Sequence, residues 1–144
     1  MRTQPIRKTI AVSGGFDPIH IGHIRMIKEA AKLGDLMVFL NKDDFLMRKK
    51  SYVFMPFEQR KEILENIKGV REVLEVVDED DTVCDTLNKY RPQIFANGGD
   101  RTSDNIPEIA ICKQLGIEMI FGIGGDKVQS SSVLVKKLNM GDNK

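Results

Sequence analysis

Five short apolar runs, each followed by an amphipathic segment, constrain this chain more than any other feature. The runs are Ile6–Val12, Leu36–Leu40, Val70–Val77, Ile94–Ala96 and Ile117–Phe121. Their length and their Val, Ile and Leu content read as buried strands. The segments between them carry helix signals. Gly22–Leu33 is closed by Gly34, and Pro56–Ile67 opens on proline with an apolar face of Phe57, Ile63, Leu64 and Ile67. Asp80–Tyr90 opens on acidic capping residues and stops before Pro92. Pro107–Leu115 stops at Gly116, and Ser131–Leu138 reads as a short closing helix. Strand and helix alternate throughout, with no repeat, low-complexity tract or linker. The pattern predicts one α/β domain over residues 1–144, a Rossmann-like, doubly wound, mostly parallel five-stranded sheet with helices on both faces.

In such sheets, ligands bind beyond the carboxyl ends of the strands. The polar and glycine-rich turns fall at that edge: Ser13–His20, Asn41–Lys50, Asn97–Thr102 and Gly122–Ser132. The first is the most specific. Ile10-Ala11-Val12 leads into Gly14-Gly15-Phe16-Asp17-Pro18-Ile19-His20-Ile21-Gly22-His23, which reads as strand, glycine turn and helix start. His20 and His23 are the only histidines in the chain. Three residues apart at a helix N-terminus, both rings can face one spot where backbone N–H groups and the helix dipole favour an anion. Two imidazoles aimed at a phosphate stabilise charge developing on phosphorus.

Gly15-Phe16-Asp17 followed by His20-Ile21-Gly22-His23 resembles the HxGH signature of the nucleotidyltransferase superfamily, in its cytidylyltransferase-like branch. The resemblance implies transfer of a nucleotidyl group from a nucleoside triphosphate to a phosphorylated acceptor, with release of pyrophosphate. The acceptor's own phosphate attacks the α-phosphorus, so no protein nucleophile is needed and catalysis is positioning plus electrostatics. His20 and His23 are then the catalytic pair on the α and β phosphates. Gly14 and Gly15 let the backbone approach the triphosphate, Gly22 lets the helix start lie against the nucleotide, Phe16 counts among the nucleotide-binding residues, and Asp17 fixes the turn.

Four further segments resemble family motifs, in family order, so that the likeness spans about Thr9 to Leu138. The basic stretch Lys42 to Lys50 is where the family carries lysines that reach the triphosphate and the acceptor phosphate. Lys49 is the expected catalytic lysine and Lys42 the expected acceptor ligand. Phe57-Glu58-Gln59-Arg60 resembles an (E/H)-x-R segment whose arginine contacts an anion. Arg60 shares a helical face with Phe57 and Leu64, so it is expected to point inward, toward ligand, in a catalytic and acceptor-binding role. Asn97-Gly98-Gly99-Asp100 resembles the loop that passes close to base and ribose, with Arg101 beside it for the acceptor phosphate. Ser130, Ser131 and Ser132 resemble a serine-rich segment whose hydroxyls and N–H groups hold the β and γ phosphates. Lys127 stands where glycerol-3-phosphate cytidylyltransferases carry an arginine, and is expected on the acceptor.

Composition narrows the partners. A formal net charge of +1 gives no electrostatic reason to expect nucleic acid, and no apolar run approaches the ~20 residues of a membrane span. Met1–Lys8 lacks the apolar core of a signal peptide. Cys84 and Cys112 form no metal-type spacing and read as reduced structural thiols, which points to the cytoplasm. The expected function is transfer of CMP from CTP to a small phosphorylated polyol, sugar, amino alcohol or phosphonate. The alternatives are AMP transfer from ATP to a sugar 1-phosphate, as in heptose 1-phosphate adenylyltransferase domains, and a non-catalytic nucleotide-binding sensor. Mg2+ is expected on the triphosphate, with no direct protein ligand. A homodimer is expected by analogy with relatives of this size.

Overall fold

The computed structural model describes residues 7–98 and 107–124. In chain order the elements are β1 (Thr9–Gly14), α1 (Ile21–Leu33), β2 (Asp35–Leu40), α2 (Asp43–Lys50), α3 (Phe57–Glu65), β3 (Val70–Glu75), α4 (Cys84–Tyr90), β4 (Ile94–Gly98), α5 (Ile109–Leu115) and β5 (Glu118–Ile123). The strands form one sheet in the order β3-β2-β1-β4-β5, and every pairing is parallel. The chain winds outward from β1 to β3, then crosses back to lay β4 on the other side of β1. The order therefore reverses between β1 and β4, the place where a doubly wound sheet opens a crevice.

Both faces are covered, and this is why the strands read as continuous apolar runs. Ile10, Val12, Leu36, Val38, Leu40, Ile94 and Ala96 point to one face, where Ile27 and Ala30 of α1 and Leu64 of α3 close the core. Ala11, Met37, Phe39 and Phe95 point to the other, against Leu87 of α4 and Cys112 of α5. The period-two alternation within each strand sorts residues between two layers rather than between core and water. Gly34 permits the first crossover. A Cβ there would lie 2.3 Å from the Lys8 carbonyl oxygen, which accepts the Asp35 N–H at 2.7 Å.

Several boundaries differ from the sequence expectation. The stretch Asn41–Lys50, expected as a polar turn, contains helix α2. Only Leu46 of that helix is buried, so no apolar stripe marks it. Its charges mark it instead: Asp43 and Asp44 lie in the first turn and Arg48, Lys49 and Lys50 in the last, each end complementing the helix dipole. Helix α4 starts at Cys84 rather than Asp80. Asp80 accepts the Thr82 N–H and hydroxyl in a local turn, while Asp78 accepts the Asp85 and Thr86 N–H groups at 2.7 and 3.0 Å. The capping carboxylate is thus Asp78, which lies outside the expected helix. β1 and β4 run on to Gly14 and Gly98, so these two glycines end strands rather than sit in turns. The expected helix Ser131–Leu138 lies outside the described residues. No helix among the described residues is long and apolar enough to cross a membrane.

Candidate active site

The first motif forms the N-terminus of α1. His20 is the N-cap, in extended conformation, and its Nδ1 accepts the Gly22 N–H at 3.0 Å. His23 Nδ1 accepts the His20 N–H at 3.2 Å. The two rings stack with centroids 3.8 Å apart, and His23 also meets the Phe16 ring at 4.6 Å. Because a backbone donor occupies each Nδ1, the proton of each neutral imidazole sits on Nε2. The motif therefore supplies two Nε2–H donors of fixed tautomer at a helix N-terminus. Extending the β1–β4 register beyond Ala11–Phe95 brings Gly14 level with Gly98, so the motif stands at the switch point of the sheet.

Buried polar groups hold this turn. Asp17 is fully buried, and its carboxylate accepts the Phe54 and Met55 N–H groups, both at 2.6 Å. Arg60 is 1% exposed. Its Nε donates to Met55 O at 2.9 Å, its Nη1 to Gly15 O and Asn41 O at 2.8 Å each, and its Nη2 to Asp43 Oδ1 at 2.6 Å. One guanidinium so ties together the first turn, the end of β2, the start of α2 and the loop before α3. Gly15 completes the contact with α2, since a Cβ there would lie 2.7 Å from Leu46 Cδ2.

The expected residues separate by position. His20, His23, Gly14, Gly15, Phe16 and Gly22 all belong to the first turn or to the first turn of α1. Arg60 points inward as expected, but into a cage of protein oxygens. Lys49 is exposed, whereas Lys50 is half-buried and donates to the Asp17 carbonyl at 3.3 Å. Burial holds the Lys50 ammonium below the usual lysine range; the Asp17 carboxylate partly offsets this and the Arg60 charge adds to it. Lys42 is the N-cap of α2, with its ammonium 3.9 Å from Glu79. Asn97 and Gly98 end β4, and the Asn97 amide donates to Ile120 O at 3.5 Å. Gly99, Asp100, Arg101, Lys127, Ser130, Ser131 and Ser132 lie outside the described residues.

The sequence placed the stretch Asn41–Lys50 at the ligand edge and left open which of its lysines is catalytic, but singled out Lys42 and Lys49 rather than Asn41, Asp43 or Lys50. Asp43 had a signal, since an acidic residue just after a strand suits a helix start. Nothing in the sequence pairs it with Arg60. Among the described residues, no three His, Cys, Asp or Glu side chains converge as a metal site. Cys84 and Cys112 are free thiols, and burial pushes Cys112 up to about 11, so neither behaves as a ready nucleophile.

Residues 11–138 match the protein family described as cytidylyltransferase-like. An FAD synthase of Ferroglobus placidus is 36% identical over 97 residues, covering 67% of this chain and 62% of that protein. A D-beta-D-heptose 1-phosphate adenylyltransferase of Bordetella bronchiseptica is 30% identical over 139 residues, covering 94% of this chain and 84% of that one. The chain spans under two thirds of the FAD synthase and about a quarter of the bifunctional HldE proteins it also matches. Among solved structures, a lipopolysaccharide core biosynthesis protein from Thermoplasma volcanium superposes with a TM-score of 0.68 at 27% identity, over 84% of this chain and 99% of that one.

Proposed function

Because the chain belongs to the cytidylyltransferase-like family, we propose that it transfers a nucleotidyl group from a nucleoside triphosphate to a small phosphorylated acceptor, releasing pyrophosphate. The observation that carries this reading is the pair of stacked imidazoles, each with Nδ1 taken by a backbone N–H at the start of α1. Their Nε2–H groups donate to the α and β phosphates and stabilise charge that develops as the acceptor oxygen bonds to the α-phosphorus and the bridging oxygen leaves. The glycine turn brings backbone close to the triphosphate, and Lys50, beside that turn, contributes a cation at the same edge. Arg60 acts as a positioning residue by holding Gly15 and Asn41; its fully buried guanidinium is taken up by protein oxygens rather than by the acceptor. Gly99 and Asp100 are assigned to the nucleoside and Ser130–Ser132 to the terminal phosphates, on the sequence motifs they resemble. Arg101 and Lys127 serve the acceptor. Magnesium bound with the triphosphate would supply charge neutralisation for the departing pyrophosphate.

CTP is the first donor to test, on the family description. ATP is the second, favoured by the nearly full-length match to an adenylyltransferase. Pyrophosphate release with each of the four nucleoside triphosphates, magnesium and a pool of phosphorylated polyols, sugars and amino alcohols decides between them. Pool-dependent release with CTP alone or ATP alone names the donor. Nucleotide binding with no release from any pairing replaces the transferase by a sensor.

A further inference from the structure

The chain leaving β5 is fastened to α1 at three consecutive points. Ile123, the last residue of the strand, is 4% exposed and lies in the core layer that α1 closes. Gly124 follows with φ +85° and packs on the backbone of Met26. A Cβ there would meet Met26 Cα at 3.1 Å and Met26 N at 3.2 Å, so the conformation and the space both call for glycine. The Gly124 N–H then donates to Glu29 Oε2 at 2.5 Å, joining residues 95 apart in sequence. A carboxylate acceptor makes this a charge-assisted bond. Glu29 is exposed and stands past the middle of α1, where a carboxylate does not cap the helix. Its partner is the turn after β5.

Both ends of this clamp bear on the triphosphate. Helix α1 carries His20 and His23 at its start. Ser130, the first of the serines assigned to the terminal phosphates, comes six residues after Gly124. Met26 lies roughly 9 Å along the helix axis from His20, and six extended residues reach up to about 20 Å. A chain that leaves the sheet at Met26 can therefore bring the serines back to the histidine pair. Where it leaves is set by Gly124, and Gly124 is held by Glu29. We propose that Glu29 is a positioning residue for the pyrophosphate half of the nucleotide: acting through Gly124, it fixes the chain leading to the serine segment against the helix that bears His20 and His23. Glu29 itself touches no substrate. The inference rests on the transferase reading above.

The test compares Glu29→Ala with Glu29→Gln in the full chain. Alanine removes the acceptor, whereas glutamine keeps an amide oxygen for the Gly124 N–H. Turnover is followed with the preferred nucleotide, and inhibition is measured with inorganic pyrophosphate and with the matching nucleoside monophosphate. Glu29→Ala should raise the nucleotide KM and the pyrophosphate inhibition constant about fivefold, the scale of one exposed hydrogen bond. The monophosphate constant and the acceptor KM should stay unchanged, and Glu29→Gln should recover most of the loss. The thermal midpoint should hardly move, because the site is exposed and alanine is the better helix former. A merely structural role would show the reverse, a lower midpoint with unchanged constants. Gly124→Ala, which keeps the carboxylate but crowds Met26, should reproduce the pyrophosphate-selective loss. Equal losses for pyrophosphate and monophosphate, unmoved constants in Glu29→Ala, or no recovery in Glu29→Gln overturn the inference and leave the transferase reading standing. A parent protein that releases no pyrophosphate from any pairing overturns the transferase reading itself, and the inference with it.

Discussion

Arg60 Nη2 lies 2.6 Å from Asp43 Oδ1, with the arginine side chain fully buried and the aspartate side chain 43% exposed. The pair spans the junction between α3 and α2, and the same guanidinium also meets three carbonyls. Removing the arginine strands all of these acceptors in the interior, whereas removing the aspartate charge leaves an arginine still bonded on its other edges. Arg60→Met should therefore cost roughly 3–5 kcal/mol of unfolding free energy, and Asp43→Asn about 1–2 kcal/mol. Urea unfolding of the two variants measures both. Equal losses, or an Arg60→Met protein as stable as the parent, would show that the cage does not hold the turn.

Lys50 gives a pH signature. Burial lowers its folded pKa, so between that value and 10.5 the unfolded chain binds the extra proton. Stability contributed at this site therefore rises with pH across that window, and the cost of burying the charge is fully present below it. Lys50→Met should gain stability relative to the parent at neutral pH, with the gain shrinking as pH approaches 10.5. The same substitution should lower turnover about tenfold or more, and Lys49→Met much less. A stability difference that is flat with pH, or a larger kinetic loss at Lys49, counts against this assignment.

The close approach of Gly15 to Leu46 predicts coupling between the first turn and α2. A Cβ on residue 15 meets the Leu46 methyl at 2.7 Å. Gly15→Ala should reduce turnover by pushing α2 away, and Leu46→Ala in the same chain should recover part of it. A double-mutant cycle reads this directly. Strict additivity of the two losses would mean that the contact does not couple them.

Cys112 offers a check on the buried layer between α4 and α5. With its thiol pushed up to about 11, the thiolate fraction at pH 8 is on the order of 0.1%. Native protein should leave Cys112 unmodified by a thiol reagent while Cys84, half-exposed, reacts slowly. Mass mapping of the modified protein distinguishes the two, and rapid labelling of Cys112 without unfolding contradicts the packing described.

Much of the fold was legible because its strands are central. Ile10, Ala11 and Val12 are buried on both faces, so they appear as an unbroken apolar run with a glycine turn at its end. Helix α2 was not legible, since Leu46 alone anchors it and a charged eight-residue stretch looks like a loop. The first motif could be read in full because its residues are adjacent in sequence and its chemistry is local. Arg60 could be read as inward from its neighbours Phe57 and Leu64. Its partners Gly15 and Asn41 lie 45 and 19 residues away, and such pairings exist only once the chain has folded.

The central claim is that His20 and His23 act on the triphosphate, and the most direct measurement separates binding from turnover in His20→Ala. Nucleotide affinity by calorimetry and pyrophosphate release with the acceptor pool should be recorded on the same preparation. Affinity should stay within a few-fold of the parent while turnover falls about 10²–10³-fold, the effect of removing one donor that matters most in the transition state. A His20→Ala protein that turns over at the parent rate, or a parent protein that binds nucleotide and never releases pyrophosphate, would contradict it.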